Sequence, residues 1–525
     1  MPIKYAKLKP EVELRPHQQQ AIDFINKNRG RGLLAHGTGS GKTLSGIAAV
    51  EDMRSNDFVT KALVVTPASL KDNFIREGIQ KFTDNSVFDG VDGESDYQVM
   101  SIDKFRKNPL KFLEESGANT LVIDEIQRAK DRNSLTSKSL RQASNRVENI
   151  IGLTGSFISN HPKEVLPLLN IIDASHTLGN PTQFTRRYTD REKIRGGGSF
   201  LKETRYKTNL KNRAPLGRQL IDRLSYLSHG DLKKDMPKMT VEDVHVPMSA
   251  EQDKLYNFAL GNLTARERRL IASGLPPTQT EASHILPIIM KARQAANSIG
   301  SHKDMPMGEA AEGTPKLKQV MDDVEKHLKK TPDGQAIVFT NLVKGGADAL
   351  HAGLTERGHD VGLYAGIGAL DGMVTSQGRQ DDIDAFKKGD KNIILLTPAA
   401  AEGVSLNNAT AFFEVDRHYN PEKNQQAVAR GRRLGGLAHR PVKDRVLEVK
   451  RYFSDPKPRI FASKRFGIDE WIGNIANEKD RLNEQLRSTV LKQRNIANKN
   501  AAFEEEFVVD PLKVAMRITK LTRNW

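Results

Sequence analysis

Along the chain, short runs of consecutive apolar residues alternate with segments whose apolar positions recur every three or four residues. An unbroken apolar run of four to six residues reads as a strand buried on both faces, and such strands alternating with helices read as a parallel α/β sheet. In the first half, residues 32–35, 62–66, 120–123 and 150–153 are such runs, with Leu70, Phe74 and Phe82 at helical spacing between them. Residues 336–340, 361–364, 393–397 and 411–415 repeat the pattern, with helical segments near 347–357, 379–388 and 424–433. The expected fold class is α/β: two doubly wound parallel-sheet lobes with helical insertions between them. The expected division is a first lobe over 1–214, a mostly helical linker over 215–315, a second lobe over 316–480 and a charged helical tail over 481–525.

Composition narrows the partners. The 525 residues are 37% hydrophobic, enough for sizeable cores, and 28% charged. Lys and Arg number 81 against 65 Asp and Glu, a formal charge of +16, which favours a polyanionic partner. A basic insertion at 186–213 holds ten Lys or Arg against three acidic residues, around Gly196-Gly197-Gly198. It reads either as a solvated loop or as a phosphate-contacting surface. The absence of cysteine removes disulfides, thiolate metal sites and thiol catalysis, and the 13 histidines form no tight ligand cluster. No run reaches the roughly 18–20 apolar residues that cross a bilayer, and Met1-Pro2-Ile3-Lys4-Tyr5 begins no apolar signal segment. A cytoplasmic protein with no membrane partner is expected.

Chemistry appears at two places in the first lobe. Ala35-His36-Gly37-Thr38-Gly39-Ser40-Gly41-Lys42-Thr43 follows a strand and precedes a helical segment. Glycines there let backbone N–H groups face phosphates, and the helix N-terminus favours negative charge. Lys42 is placed to reach the β and γ phosphates and Thr43 to ligate Mg²⁺. His36 stands where the usual pattern has its first glycine. Alone, the loop also reads as a glycine-rich turn. Downstream, the strand Leu121-Val122-Ile123 runs into Asp124-Glu125. In a parallel sheet the C-terminal strand ends share one edge, so Asp124 can hold the metal while Glu125 orients and deprotonates water. An acidic pair after a strand is usually a helix cap; its position downstream of a glycine loop favours phosphoryl chemistry.

From 14 to 475 these residues resemble a superfamily 2 helicase or translocase, and most closely its Swi/Snf-type branch. Leu14-Arg15-Pro16-His17-Gln18 is similar to the adenine-reading motif, with Gln18 on the base. Asp124-Glu125-Ile126-Gln127 resembles the branch's acidic box and adds Gln127. Leu153-Thr154-Gly155-Ser156-Phe157-Ile158-Ser159-Asn160 resembles the motif that couples hydrolysis to nucleic-acid grip, with Phe157 in place of a proline. In the second half, Thr397-Pro398-Ala399-Ala400-Ala401-Glu402-Gly403 resembles a further motif and brings Gly403 to the nucleotide. Arg430-Gly431-Arg432-Arg433 resembles the arginine-finger motif, with Arg432 replacing a frequent histidine.

The resemblance implies two RecA-like lobes with ATP and Mg²⁺ between them. Gly37, Thr38, Gly39, Ser40, Gly41, Lys42 and Thr43 would cradle the phosphates. Arg430 and Arg433 would arrive from the second lobe. Thr154, Gly155 and Ser156 would couple the two activities. Ser69, Lys71, Thr340, Asn341 and Thr397 would touch a DNA backbone without reading sequence. The expected function is an ATP-dependent DNA translocase or helicase, a monomer of bacterial or phage type acting in repair or recombination. The alternatives are a strand-separating or branch-migrating helicase, a DNA-binding scaffold with an inactive ATP site, and the motor subunit of a restriction system.

Overall fold

In the computed structural model, residues 8–173, 178–194, 205–228, 231–232, 235–272, 279–302, 304–400, 404–457 and 467–509 are described. The apolar runs become the central strands of two sheets. The first contains β1 (Arg31–His36), β2 (Ala62–Thr66), β3 (Val87–Asp89), β4 (Tyr97–Ser101), β5 (Thr120–Ile123), β6 (Asn149–Thr154) and β9 (Leu224–Leu227). Their order is β3-β4-β2-β5-β6-β1-β9, and every neighbouring pair is parallel. The second sheet contains β10 (Lys238–Pro247), β11 (Ala336–Phe339), β12 (Val361–Tyr364), β13 (Ile393–Leu396), β14 (Ala411–Glu414) and β15 (Val446–Asp455), in the all-parallel order β10-β15-β14-β11-β13-β12. This is the expected fold class: two doubly wound parallel α/β lobes.

Every residue of β2, β5, β6, β11 and β13 is buried, as uninterrupted apolar strands covered on both faces must be. One apolar cluster, including Ile25, Leu34, Val50 and Val64, covers one face of the first sheet. The other face packs Leu33, Ile123, Leu168 and Phe184. The second sheet is likewise enclosed by one cluster around Val320, Val338 and Leu350 and another around Phe339, Phe386 and Phe412.

The helices used below are α1 (Pro16–Lys27), α2 (Lys42–Ser55), α3 (Arg213–Ile221), α4 (Gln279–Asn297), α5 (Pro315–Lys330), α6 (Asp348–Glu356), α7 (Ser376–Lys388), α8 (Pro421–Val428) and α9 (Ile468–Val509). Among the described residues no helix is long and apolar enough to cross a membrane.

Two parts of the expected division differ. The stretch 215–315 is not simply a helical linker, because β9 joins the first sheet and β10 the second. Both are edge strands. β10 is exposed along most of its length and carries Lys238, Glu242 and Asp243, so no apolar run marks it. The basic insertion is not a plain loop. Its flanks form an antiparallel hairpin, β7 (Thr189–Ile194) with β8 (Arg205–Leu210). The tail is also no separate unit, since α9 runs unbroken across residue 480.

Candidate nucleotide site between the lobes

The glycine loop connects β1 to α2 at the C-terminal edge of the first sheet. Gly39 and Gly41 take φ of 83° and 78°, the left-handed region that glycine enters without steric cost. His36 ends β1 and is fully buried, with Nε2 3.1 Å from the Ser225 hydroxyl of β9. Burial, then the positive charges around it, push its pKa down to about 3, so the imidazole is neutral. Position 36 is therefore a strand end within the core, which is why the loop beyond it needs no glycine there.

Asp124 and Glu125 leave β5 at the same edge. Glu125 has φ 50°, a conformation a residue with a Cβ adopts only when its surroundings hold it there. The Lys42 ammonium bonds Glu125 Oε1, and the Gln127 amide donates to Glu125 Oε2. The Thr154 hydroxyl is 2.6 Å from Gln127 Oε1 and accepts from the Ser156 N–H at 3.0 Å. A continuous polar chain thus runs from Lys42 through Glu125 and Gln127 to the 154–156 motif. Gly155 closes the arrangement: a Cβ there would lie 2.7 Å from the Thr38 hydroxyl oxygen.

The electrostatics separate the two carboxyls. Burial, then the adjacent Glu125 charge, push Asp124 up to about 6. Burial also pushes Glu125 upward, but the Lys42 ammonium and the hydrogen bonds from Lys42 and Gln127 outweigh it and hold Glu125 below its ordinary value. Lys42 is raised: its burial is outweighed by the two carboxylates. Asp124 Oδ2 accepts from Thr66 at 3.1 Å, whereas Oδ1 is buried with no hydrogen-bond partner. A buried carboxylate oxygen without a donor suits a hard cation such as Mg²⁺. Ser40 Oγ is also buried and unpartnered in the loop.

The second lobe completes the site. A Cβ on Gly39 would lie 3.2 Å from the Arg432 carbonyl oxygen and 3.3 Å from Arg433 Cα, and the Leu434 N–H donates to the Gly39 carbonyl at 3.3 Å. Arg430 and Arg433 both donate to the Val404 carbonyl, at 3.2 and 2.9 Å. The charge of Arg430 acts on both Lys42 and Glu125. Burial, then Arg430, push Arg433 down to about 9.

Other expected site residues fall elsewhere. Gln18 is buried in α1; its Oε1 accepts from the Arg15 N–H at 2.9 Å and its amide lies 3.4 Å from the Gly41 carbonyl, so it braces the loop. Ser69 is exposed and Lys71 is half-buried, paired with Asp89 at 2.6 Å. Thr340 and Thr397, expected on a DNA-facing surface, are buried. The Thr340 hydroxyl bonds Asp416, and that of Thr397 is 3.4 Å from the Tyr364 carbonyl. In this conformation their side chains face the lobe's interior. Asn341 is half-buried, with its amide on the Asp416 carbonyl at 2.9 Å. Gly403 lies outside the described residues.

Sequence reasoning missed Glu422, which bridges the lobes by accepting from the Ser159 hydroxyl. It follows Asn420-Pro421 at the start of α8, where an acidic residue looks like a helix-terminal preference and nothing more.

Two parallel α/β lobes, with a phosphate loop and acidic pair on one and paired arginines on the other, define a two-lobed, helicase-type ATPase. The chain matches the SNF2-related domain over residues 17–301 and the helicase conserved C-terminal domain over residues 319–435. It belongs to the SNF2-related family, the Swi/Snf-type branch of superfamily 2.

An uncharacterized ATP-dependent helicase of Mycoplasma genitalium is 23% identical over 83% of this chain and 41% of its own length. The ISWI chromatin-remodelling complex ATPase of Saccharomyces cerevisiae is 24% identical over 93% of this chain and 42% of its own. The chain thus spans about two fifths of either relative. A solved Sulfolobus solfataricus SWI2/SNF2 ATPase core in complex with double-stranded DNA is 20% identical, covering 86% of this chain and 90% of that one, with a TM-score of 0.39.

Proposed function

We propose that this chain hydrolyses ATP to move along or remodel DNA without reading its sequence. The observation that carries this is the approach of the second lobe's arginines to the first lobe's site, with the Arg430 charge acting on Lys42 and Glu125 and Arg433 packed against Gly39. A triphosphate on the Gly37–Thr43 loop would compete with Glu125 for the Lys42 ammonium. Released from that pairing, Glu125 becomes a stronger base, still held by Gln127, and can take the proton of an attacking water. Thr43 and Asp124 would hold Mg²⁺, which neutralises charge on the phosphates. Arg430 and Arg433 stabilise charge on the transferring group, so lobe closure depends on nucleotide state.

The Glu125–Gln127–Thr154 chain carries that state toward Ser159 and its bond to Glu422 in the second lobe. The +16 charge supports a nucleic-acid partner, with Ser69, Lys71 and Asn341 as backbone contacts. The test is ATP turnover with and without duplex, single-stranded and branched DNA and with RNA, followed by a strand-displacement assay. We expect duplex or branched DNA to stimulate turnover most. Lys42→Ala and Glu125→Gln should abolish turnover while DNA binding persists. Turnover unchanged by any nucleic acid refutes the reading.

A further inference from the structure

We propose that a recessed basic cavity behind the ATP cleft, between α8, α9 and the β10-β15-β14 edge of the second sheet, binds a small phosphorylated anion. The cavity measures about 370 Å³, within the range of small-ligand pockets. Four guanidinium groups line it: Arg417, Arg432, Arg451 and Arg487. Arg487, from α9, is matched by Asp480 at 2.9 Å and Glu484 at 3.1 Å. The other three are not matched in this way.

Arg417 and Arg451 share one carboxylate, Glu414, at 3.8 and 3.5 Å, beyond good hydrogen-bond length. The exposed Asp243 is 3.9 Å from Arg451. Arg432 has no ion pair among the described residues; its Nε donates to the Pro237 carbonyl at 3.0 Å. Arg417 Nε, Arg451 Nε and Glu414 Oε1 are all buried without a hydrogen-bond partner.

An unmatched cluster of this kind is costly unless something offers acceptors to it, because buried donors lose water and like charges repel. A phosphate group, with several charged oxygens, fits guanidinium forks in bidentate fashion. The recess favours a small ligand over a nucleic-acid backbone. The side chains of Arg417, Arg451 and Arg487 are only 10%, 28% and 15% exposed, whereas a duplex contacts cations that project from a surface. Glu414 is compatible with an anion because burial pushes its pKa up to about 7, which lowers its charge.

The test titrates pyrophosphate calorimetrically into the full chain at low salt, with one equivalent of adenylyl imidodiphosphate already on the ATP loop. We expect one additional site. Arg451→Gln should weaken it at least about tenfold, the loss of a charged bidentate contact. Gln425→Glu adds a negative charge on the exposed rim, beside Asp480, to which the Gln425 amide donates at 3.2 Å, and should weaken it severalfold. No additional site, or affinity unchanged in Gln425→Glu at an unchanged melting temperature, overturns the proposal. Citrate binding as tightly as pyrophosphate overturns the assignment to phosphate. Displacement of pyrophosphate by a short DNA duplex overturns the small-ligand reading.

Discussion

At the residue scale, the nucleotide site is a set of close approaches that tolerate few substitutions. Gly155 shows this most directly. Its neighbour Thr38 leaves no room for a methyl group, and Lys42 Nζ would lie 3.7 Å from one. Gly155→Ala must therefore displace Thr38 or shift the 154–156 turn, either of which disturbs the loop that cradles phosphate. We expect nucleotide affinity to fall by roughly tenfold, a misplacement cost of the order that small shifts at reacting centres produce. Melting temperature should change little, because the strain can relax into the cleft. Fluorescent-nucleotide titration checks this; wild-type affinity in Gly155→Ala would mean that the turn and the loop do not meet.

Arg430 gives a second prediction. Arg430→Ala should lower kcat by roughly 10³ or more with little change in nucleotide binding, since an arginine finger acts chiefly in the transition state. A rise in KM with kcat unchanged would instead make Arg430 a binding residue.

At the scale of elements, the sequence was most legible where one residue pattern had one structural solution. The apolar runs of β2, β5, β11 and β13 could only be doubly buried strands, and the glycine loop and acidic pair fell at strand ends because parallel topology puts them there. The edge strands β9 and β10, and β15 beside β10, were not legible. β10 is exposed along most of its length, and the consecutive Lys450 and Arg451 interrupt β15 on opposite faces, pairing with Asp323 and Asp243. The burial of Thr340 and Thr397 was hidden for a related reason: a threonine just after a buried strand carries no mark of whether its hydroxyl faces solvent or the interior, here Asp416 for Thr340 and the Tyr364 carbonyl for Thr397.

The long helix α9 shows the same limit. Its apolar residues at 482, 486 and 490 were readable as a helical stripe, but not their partner, which is the first lobe's core. The helix begins in the inserted helical cluster, with Trp471 and Ile472 against α4, and continues to the first lobe, where Arg494 pairs with Asp231 at 2.8 Å. Leu486 is fully buried at that second contact. Leu486→Ala should cost about 2–5 kcal/mol, as core leucine truncations do. Denaturant unfolding would show it, and a loss below 1 kcal/mol would mean that the helix is only lightly docked.

At the scale of the whole molecule, one of the contacts through which the lobes meet is titratable. Glu422 accepts from Ser159 across the boundary, and burial, moderated by that hydrogen bond and by Lys130, pushes its pKa up to about 7, with Glu125 and Glu164 also facing it. Opening the lobes returns Glu422 to water and to an ordinary carboxyl pKa near 4.5. The closed form therefore binds the proton more tightly, and linkage fixes the sign: closure is unpenalised below about pH 4.5 and weakens steadily as pH rises toward 7. The full effect is bounded at about 3 kcal/mol. Glu414 shares the raised pKa but lies within the second lobe, so it affects folding rather than closure. Inter-lobe distance, measured by energy transfer between dyes on Lys111 and Lys388 positions, should report a larger open fraction at pH 8 than at pH 5.5. Glu422→Gln removes the titration while keeping a hydrogen-bond partner for Ser159, and should flatten the profile. A wild-type pH dependence that survives in Glu422→Gln would place the controlling group elsewhere. A flat wild-type profile would mean that the boundary stays shut, or open, whatever the charge on Glu422.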